Sequence, residues 1–252
     1  MQLKPTIAFI GDSYCNAYEW NHWVQLGRPK YQHGASRAEF PTHPSIVADY
    51  FNWQLIPLGF GGRSWWYTRQ RLLDVVKTTA PLEQMQVLVF FHTGYTRINT
   101  ALHTTDSTAI SSDPVVQSYY KHLYDVDFHQ WAQQQWFKEV NTVYGSLKTI
   151  HFNCFPDSVD YCNLLPGMVY TTPLVNISIG EITGTDAEIL EAISTKETRK
   201  NHLNSANNQA LADVIITAIN NYEPGFYTID TTRFEQPNTR AVNYPNPGYG
   251  TK

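Results

Sequence analysis

The sequence predicts a three-layer α/β domain built on a parallel sheet, and three observations carry that reading. Short apolar runs alternate with segments of helical period along most of the chain, the pattern of repeated β-α-β units. The third of these runs is continuously apolar rather than alternating, as in a strand covered on both faces. The chain has 252 residues, 42% of them hydrophobic, which is enough for a single core of this kind.

Thr6–Ile10 is an apolar run ending in Gly11-Asp12-Ser13, a strand followed by a turn. After an aromatic-rich loop, residues 44–52 put Ile46, Val47, Tyr50 and Phe51 at helical spacing, and 53–60 reads as a second strand broken by Gly59, Gly61 and Gly62. Ser64 suits the cap of a helix carrying Leu72, Leu73, Val75 and Val76, because its hydroxyl can accept from a free backbone N–H of the first turn. Residues 86–91 form the third strand. No clean period runs through 94–126, which is expected to be an insertion. Residues 127–147 are helical through Phe128, Trp131, Trp136, Phe137, Val140 and Val143, and 149–155 is a fourth strand. A second irregular segment, 156–185, leads to a short helix at 186–193, a polar loop and a final helix at 205–220. The expected domain therefore covers 1–222, with insertions at 94–126 and 156–185. From 223 to 252, Pro224, Pro237, Pro245 and Pro247 with Gly225, Gly248 and Gly250 leave no regular element. An extended tail is expected there, docked through Phe226, Tyr227, Phe234, Tyr244 and Tyr249 against the domain or against oligomeric or virion partners.

Composition excludes several classes. No apolar run approaches the roughly 18–20 residues that span a bilayer, and no secretory leader pattern opens the chain. The expectation is a cytoplasmic protein without a membrane partner, or a virion-associated one if the source is a phage. Eighteen basic against 22 acidic residues, without a basic block, lack the electrostatic footprint of a nucleic-acid binder. Three cysteines, Cys15, Cys154 and Cys162, suit a reducing compartment better than a disulfide scaffold. Neither a Cys-x-x-Cys pair nor a His-Glu-x-x-His motif occurs, so no metal is expected. The 16 Tyr, 12 Phe and 7 Trp are the unusual component, and a surplus of such rings beyond the core suits a binding surface.

In a parallel sheet ligands bind beyond the carboxyl ends of the strands, and three loops there contain residues with chemistry. Gly11-Asp12-Ser13 follows the first strand, where a turn lifts a serine hydroxyl above the sheet. Gly59-Phe60-Gly61-Gly62-Arg63-Ser64 follows the second, where glycines let the backbone approach a substrate and point an N–H at it. Asn201-His202-Leu203-Asn204 precedes the last helix. Each alone has an ordinary structural explanation as a turn, a strand-to-helix connection or a helix start. Other candidates do as well: Cys15 as a small buried residue, Arg63, Arg69 and Arg97 as solvated arginines, and Trp65-Trp66-Tyr67 as helix packing.

Taken together, and in this order, the three blocks resemble the SGNH hydrolases, the GDSL esterase/lipase family, over about residues 5–221, with Ala206-Asn207-Asn208-Gln209-Ala210-Leu211-Ala212 most similar to divergent phage and bacterial members. The resemblance implies a flavodoxin-like α/β/α sandwich and hydrolysis of an ester without a cofactor. It makes Ser13 the nucleophile, His202 the base, and the N–H groups of Ser13 and Gly62 the oxyanion hole. The chain departs from the family pattern twice. Where the family has an Asn after the third strand, this sequence runs His92-Thr93-Gly94-Tyr95-Thr96-Arg97-Ile98-Asn99, and Thr93, Thr96, Arg97 and Asn99 remain alternatives. Where the family has an Asp three residues before the His, Arg199 stands here, leaving Glu197 or a backbone carbonyl to orient the imidazole. Asp12 and Asn201 flank the reacting residues as supporting groups. The implied activity is removal of an acetyl or short acyl group from a small-molecule or glycan ester. Its rivals are a catalytically weak or inactive glycan-binding or virion protein, and a lipase or thioesterase.

Overall fold

A computed structural model describes residues 4–15, 42–59, 64–78, 84–95, 97, 114–155, 161–177, 203 and 205–235. The expected helix at 186–193 and the stretch 236–252 lie outside them. Six strands form one parallel sheet: β1 (Thr6–Gly11), β2 (Gln54–Gly59), β3 (Met85–His92), β4 (Lys148–Asn153), β5 (Met168–Tyr170) and β6 (Gly225–Tyr227), in the order β2-β1-β3-β4-β5-β6. The helices are α1 (His43–Phe51), α2 (Trp65–Thr78), α3 (Pro114–His122), α4 (Val126–Tyr144) and α5 (Ser205–Asn220).

Side-chain alternation along the strands separates two cores. Ile7 and Phe9 of β1, Val87, Val89 and Phe91 of β3, and Ile150 and Phe152 of β4 face α1 and α5, which contribute Val47, Ala48, Leu211, Ala212 and Ile215. Ala8, Ile10, Leu88 and Phe90 face the other way, onto Leu72 and Val75 of α2 and Trp136, Phe137, Val140 and Tyr144 of α4. Helices thus cover both faces, which is why β1 and most of β3 are apolar without a break. The protein is a three-layer α/β/α sandwich, and its order 2-1-3-4-5 is the flavodoxin-like one, extended by β6.

Pro57 falls on β2, an edge strand, where a residue without an N–H is tolerated. Ser64 accepts from the N–H of Tyr67 at 3.4 Å, and Asp125 from that of Phe128 at 3.1 Å, at the starts of α2 and α4.

Three findings differ from the sequence reading. Helix α3 occupies part of 94–126, and β5, a strand of the sheet, falls inside 156–185. Three residues between Gly167 and Thr171 are too few to display a period. The third is β6, which adds a regular element just after residue 222: Gly225–Tyr227 pairs with Met168–Tyr170. Downstream, Phe234 is buried in the α1/α5 core. Pro224 stops α5 from continuing but leaves the following residues free to pair at an edge.

Candidate active site

The order reverses at β1: the chain goes from β1 to β2 on one side and then to β3 on the other. Such a switch point leaves a crevice beyond the carboxyl ends of the two central strands, and Gly11-Asp12-Ser13 opens into it. Ser13–Cys15 forms a single 3-10 turn, closed by the Cys15 N–H donating to the Asp12 carbonyl at 3.3 Å. The turn packs directly on its neighbours. A Cβ added at Gly11 would stand 2.5 Å from the Phe91 carbonyl oxygen, and one at Gly59 would stand 2.5 Å from the Cys15 carbonyl oxygen. Glycine at these two strand ends is therefore required by the backbone that lies against them.

Asp12 is wholly buried, so its carboxylate must be satisfied by the protein. Oδ1 accepts from the N–H of Tyr14 at 3.0 Å and from the Cys154 thiol at 3.6 Å, while Oδ2 lies 3.4 Å from a guanidinium nitrogen of Arg97. Arg97 also lies over the Phe155 ring, 5.3 Å from its centroid. The carboxylate next to Ser13 is thereby fixed by residues from the ends of β1, β3 and β4. Cys15 and Cys154 flank it, and burial, reinforced by Asp12, raises both thiols well above their ordinary range. Neither is a ready thiolate nucleophile, in keeping with the structural reading of Cys15.

Thr93 follows β3 directly and is buried. Its carbonyl accepts from Gln133 Nε2 of α4 at 2.8 Å, whereas its own hydroxyl and Gln133 Oε1 have no hydrogen-bond partner among the described residues. Close by, Gln130 donates to the Tyr95 hydroxyl at 3.0 Å and accepts from that of Tyr161 at 3.2 Å. The first turns of α4 are thus tied to the loops after β3 and β4, and they carry Phe128 and Trp131, 56% and 55% exposed. The two rings lie side by side, centroids 6.0 Å apart, and form an exposed aromatic rim at the start of α4.

On the other face, His43 opens α1. Its N–H donates to Asn208 Oδ1 of α5 at 3.1 Å, its Nδ1 lies 2.9 Å from the same oxygen, and Asn208 Nδ2 donates to the Leu203 carbonyl at 3.0 Å. Burial pushes His43 down to about 4, against the opposing effect of the Asn208 bond.

Of the residues singled out in the sequence, the structure brings Asp12, the backbone of Ser13, Thr93 and Arg97 to one edge. Gly62, Asn99, Glu197, Asn201 and His202 lie outside the described residues, as do Thr96 and Arg63. Arg69 is turned away from substrate duty: it binds Glu139 through two nitrogens at 2.5 and 2.7 Å. Trp65 is half-buried against the α2/α4 core, and Trp66 is exposed. Sequence reasoning missed His43, Gln133, Cys154 and Asn208. Of these, only Asn208 carried a signal, as an amide one turn beyond the Asn-His-Leu-Asn block.

Among the described residues no group of three or more His, Cys, Asp or Glu is arranged to hold a metal, and no helix is long and apolar enough to cross a membrane. No protein-family model matches the chain, and the comparison with curated proteins gives no match. Among solved structures, one described as "The active site of a carbohydrate esterase displays divergent catalytic and non-catalytic binding functions" superposes on 88% of this chain and 70% of its own, with a TM-score of 0.38 and 15% identity. Overlap at that level carries no argument about this chain.

Proposed function

We propose that the protein is a serine esterase that removes an acetyl or short acyl group from an ester, with a glycan ester as the substrate class. The observation that carries the reading is the Gly11-Asp12-Ser13 turn at the switch point, its aspartate buried and held by Arg97, Cys154 and the Tyr14 N–H. Leu203, adjacent in sequence to His202, is tied through Asn208 to the start of α1. Helices that return a parallel chain begin at the carboxyl edge, so the starts of α1 and α5 share the edge on which β1 ends.

In the proposed reaction His202 takes the proton of Ser13 as the serine oxygen attacks the ester carbonyl. The N–H groups of Ser13 and Gly62 hold the oxyanion. The alcohol leaves with the proton from His202, and water activated by the same imidazole releases the acid. Phe128 and Trp131 favour a sugar-bearing substrate, because flat apolar rings beside Gln130, Tyr95 and Tyr161 offer both stacking and hydrogen bonds.

A binding-only role is the second reading. It is favoured by Arg97, which is committed to Asp12 and Phe155 in the loop where the family has its oxyanion Asn. Loss of one oxyanion donor costs about 100–1000-fold in rate. Hydrolysis of p-nitrophenyl acetate and p-nitrophenyl palmitate separates the alternatives. The esterase reading expects turnover of the acetate that is lost in Ser13→Ala and His202→Ala. Turnover unchanged in both variants, or none in wild type, favours binding alone, and preference for the palmitate favours a lipase.

A further inference from the structure

We infer that His43 and Asn208 form a positioning pair that holds the segment carrying the catalytic base, an inference that rests on the reading of His202 as that base. The geometry leaves little freedom. Asn208 meets two backbone groups of fixed role: the His43 N–H, which can only donate, and the Leu203 carbonyl, which can only accept. The amide therefore has one orientation, Oδ1 toward His43 and Nδ2 toward Leu203. Because Oδ1 only accepts, His43 Nδ1 at 2.9 Å must be the protonated nitrogen. Neutral His43 then has its lone pair on Nε2, which is buried and without a partner among the described residues.

A plain packing residue would not be built this way. The imidazole sits between Phe9 and Phe91, at centroid distances of 5.9 and 5.2 Å, where a leucine would fill apolar space without stranding a nitrogen. What the imidazole supplies and leucine cannot is the second bond to Asn208, which locks the amide that grips Leu203. Leu203 is held twice, by its side chain in the α1/α5 core and by its carbonyl on Asn208. His202 is one peptide bond away. Fixing Leu203 leaves mainly the torsions of His202 itself to direct the imidazole, which matters in a chain with Arg199 where the family has its orienting carboxylate.

The test uses the full chain with His43→Leu, His43→Asn and Asn208→Ala, reading kcat and KM for p-nitrophenyl acetate and the ring resonances of His202 by NMR. Asparagine carries a donor where Nδ1 stands, so it should restore what leucine removes. The expected result is a kcat lowered about 100-fold in His43→Leu and Asn208→Ala, the scale of a misplacement of about 1 Å, with KM changed less than about twofold. The His202 resonances should move in both variants and return in His43→Asn, which keeps kcat within about threefold of wild type. Wild-type kcat and unmoved His202 resonances in His43→Leu would overturn the inference, as would an asparagine variant as impaired as the leucine one. Should His43→Leu not fold, the contrast between Asn208→Ala and His43→Asn decides in the same way. If wild type does not turn over the ester, the esterase reading fails by that result, and the NMR contrast alone decides the pairing: resonances moved and restored support it, unmoved resonances overturn it.

Discussion

The two faces of the sheet are built differently, and the contrast separates what holds the site from what holds the fold. Against the α1/α5 face lie small and aliphatic residues, Val47, Ala48, Leu211, Ala212 and Ile215. The side-chain amides there serve chain segments rather than one another. Asn208 grips Leu203, and Asn207 donates to the carbonyls of Ile177 and Glu235 at 2.8 and 2.9 Å while accepting from the Glu235 N–H at 2.7 Å. Against the α2/α4 face lie Trp136, Phe137 and Tyr144, with Phe90 stacked on His151 at 4.9 Å and His92 paired to His151 at 3.0 Å. The ring cluster of Trp136, Phe137 and Tyr144 is bulk packing, below the first turns of α4 that hold Thr93 and Tyr95; the amides of the α1/α5 face are anchors for the segments at Leu203, Ile177 and Glu235. Disturbing the first should change stability alone, and disturbing the second should change stability and site together.

The largest stability effect should come from the bulk face. Phe137 is fully buried, and Phe137→Ala should cost about 3–5 kcal/mol in urea unfolding, with activity per folded molecule unchanged. A loss below about 1 kcal/mol would erase the contrast. On the anchoring face, Asn207→Ala removes three hydrogen bonds, to the carbonyls of Ile177 and Glu235 and from the Glu235 N–H, and should cost about 2–3 kcal/mol. Unlike Phe137→Ala, it should also speed hydrogen exchange at Ile177 and Glu235.

Acid should act on both faces, more on the bulk one. Burial lowers His92 to about 3 and His151 well below its ordinary value, the latter helped by His92, and His43 on the opposite face falls to about 4. Folded values below the unfolded one of about 6.5 mean that stability is full above that pH. It falls as pH drops toward the folded values, because the unfolded chain takes up protons first. Each histidine contributes a slope of up to about 1.4 kcal/mol per pH unit. Urea midpoints between pH 7 and 5 should reveal this slope. The double variant His92→Leu/His151→Leu should flatten it by at least about half, the share of two among His43, His92, His151 and His129, which burial also lowers, and an unchanged slope would remove the pair from the account. The smallest stability effect belongs to the rim: Trp131→Ala should change stability by less than about 0.5 kcal/mol yet raise KM for an acetylated oligosaccharide. An unchanged KM would detach the aromatic rim from the substrate.

The fold was legible where long apolar runs and long periods coincide. Thr6–Gly11, Met85–His92 and Ser205–Asn220 lie within a residue or two of their expected bounds, because strands covered on both faces and a helix of 16 residues write strong patterns. Met168–Tyr170 and Gly225–Tyr227 were not legible, since a three-residue strand at or near an edge is specified by the neighbour it pairs with. In the site, the Gly11-Asp12-Ser13 turn could be read from its place after the first strand. The partners of Asp12 could not: Cys154 and Arg97 reach it from β4 and from the loop after β3, and only the sheet order brings them together. His43 was hidden for the same reason, 165 residues from the Asn208 that gives it a role.

The central claim is that Ser13, at the switch point beside a buried and fixed Asp12, is an activated nucleophile. Mass spectrometry of the intact and digested protein after treatment with a fluorophosphonate tests it most directly. One adduct per chain, on the peptide containing Ser13 and absent from Ser13→Ala, is the expected result. An unlabelled folded wild type, or labelling that persists unchanged in Ser13→Ala, would contradict the claim.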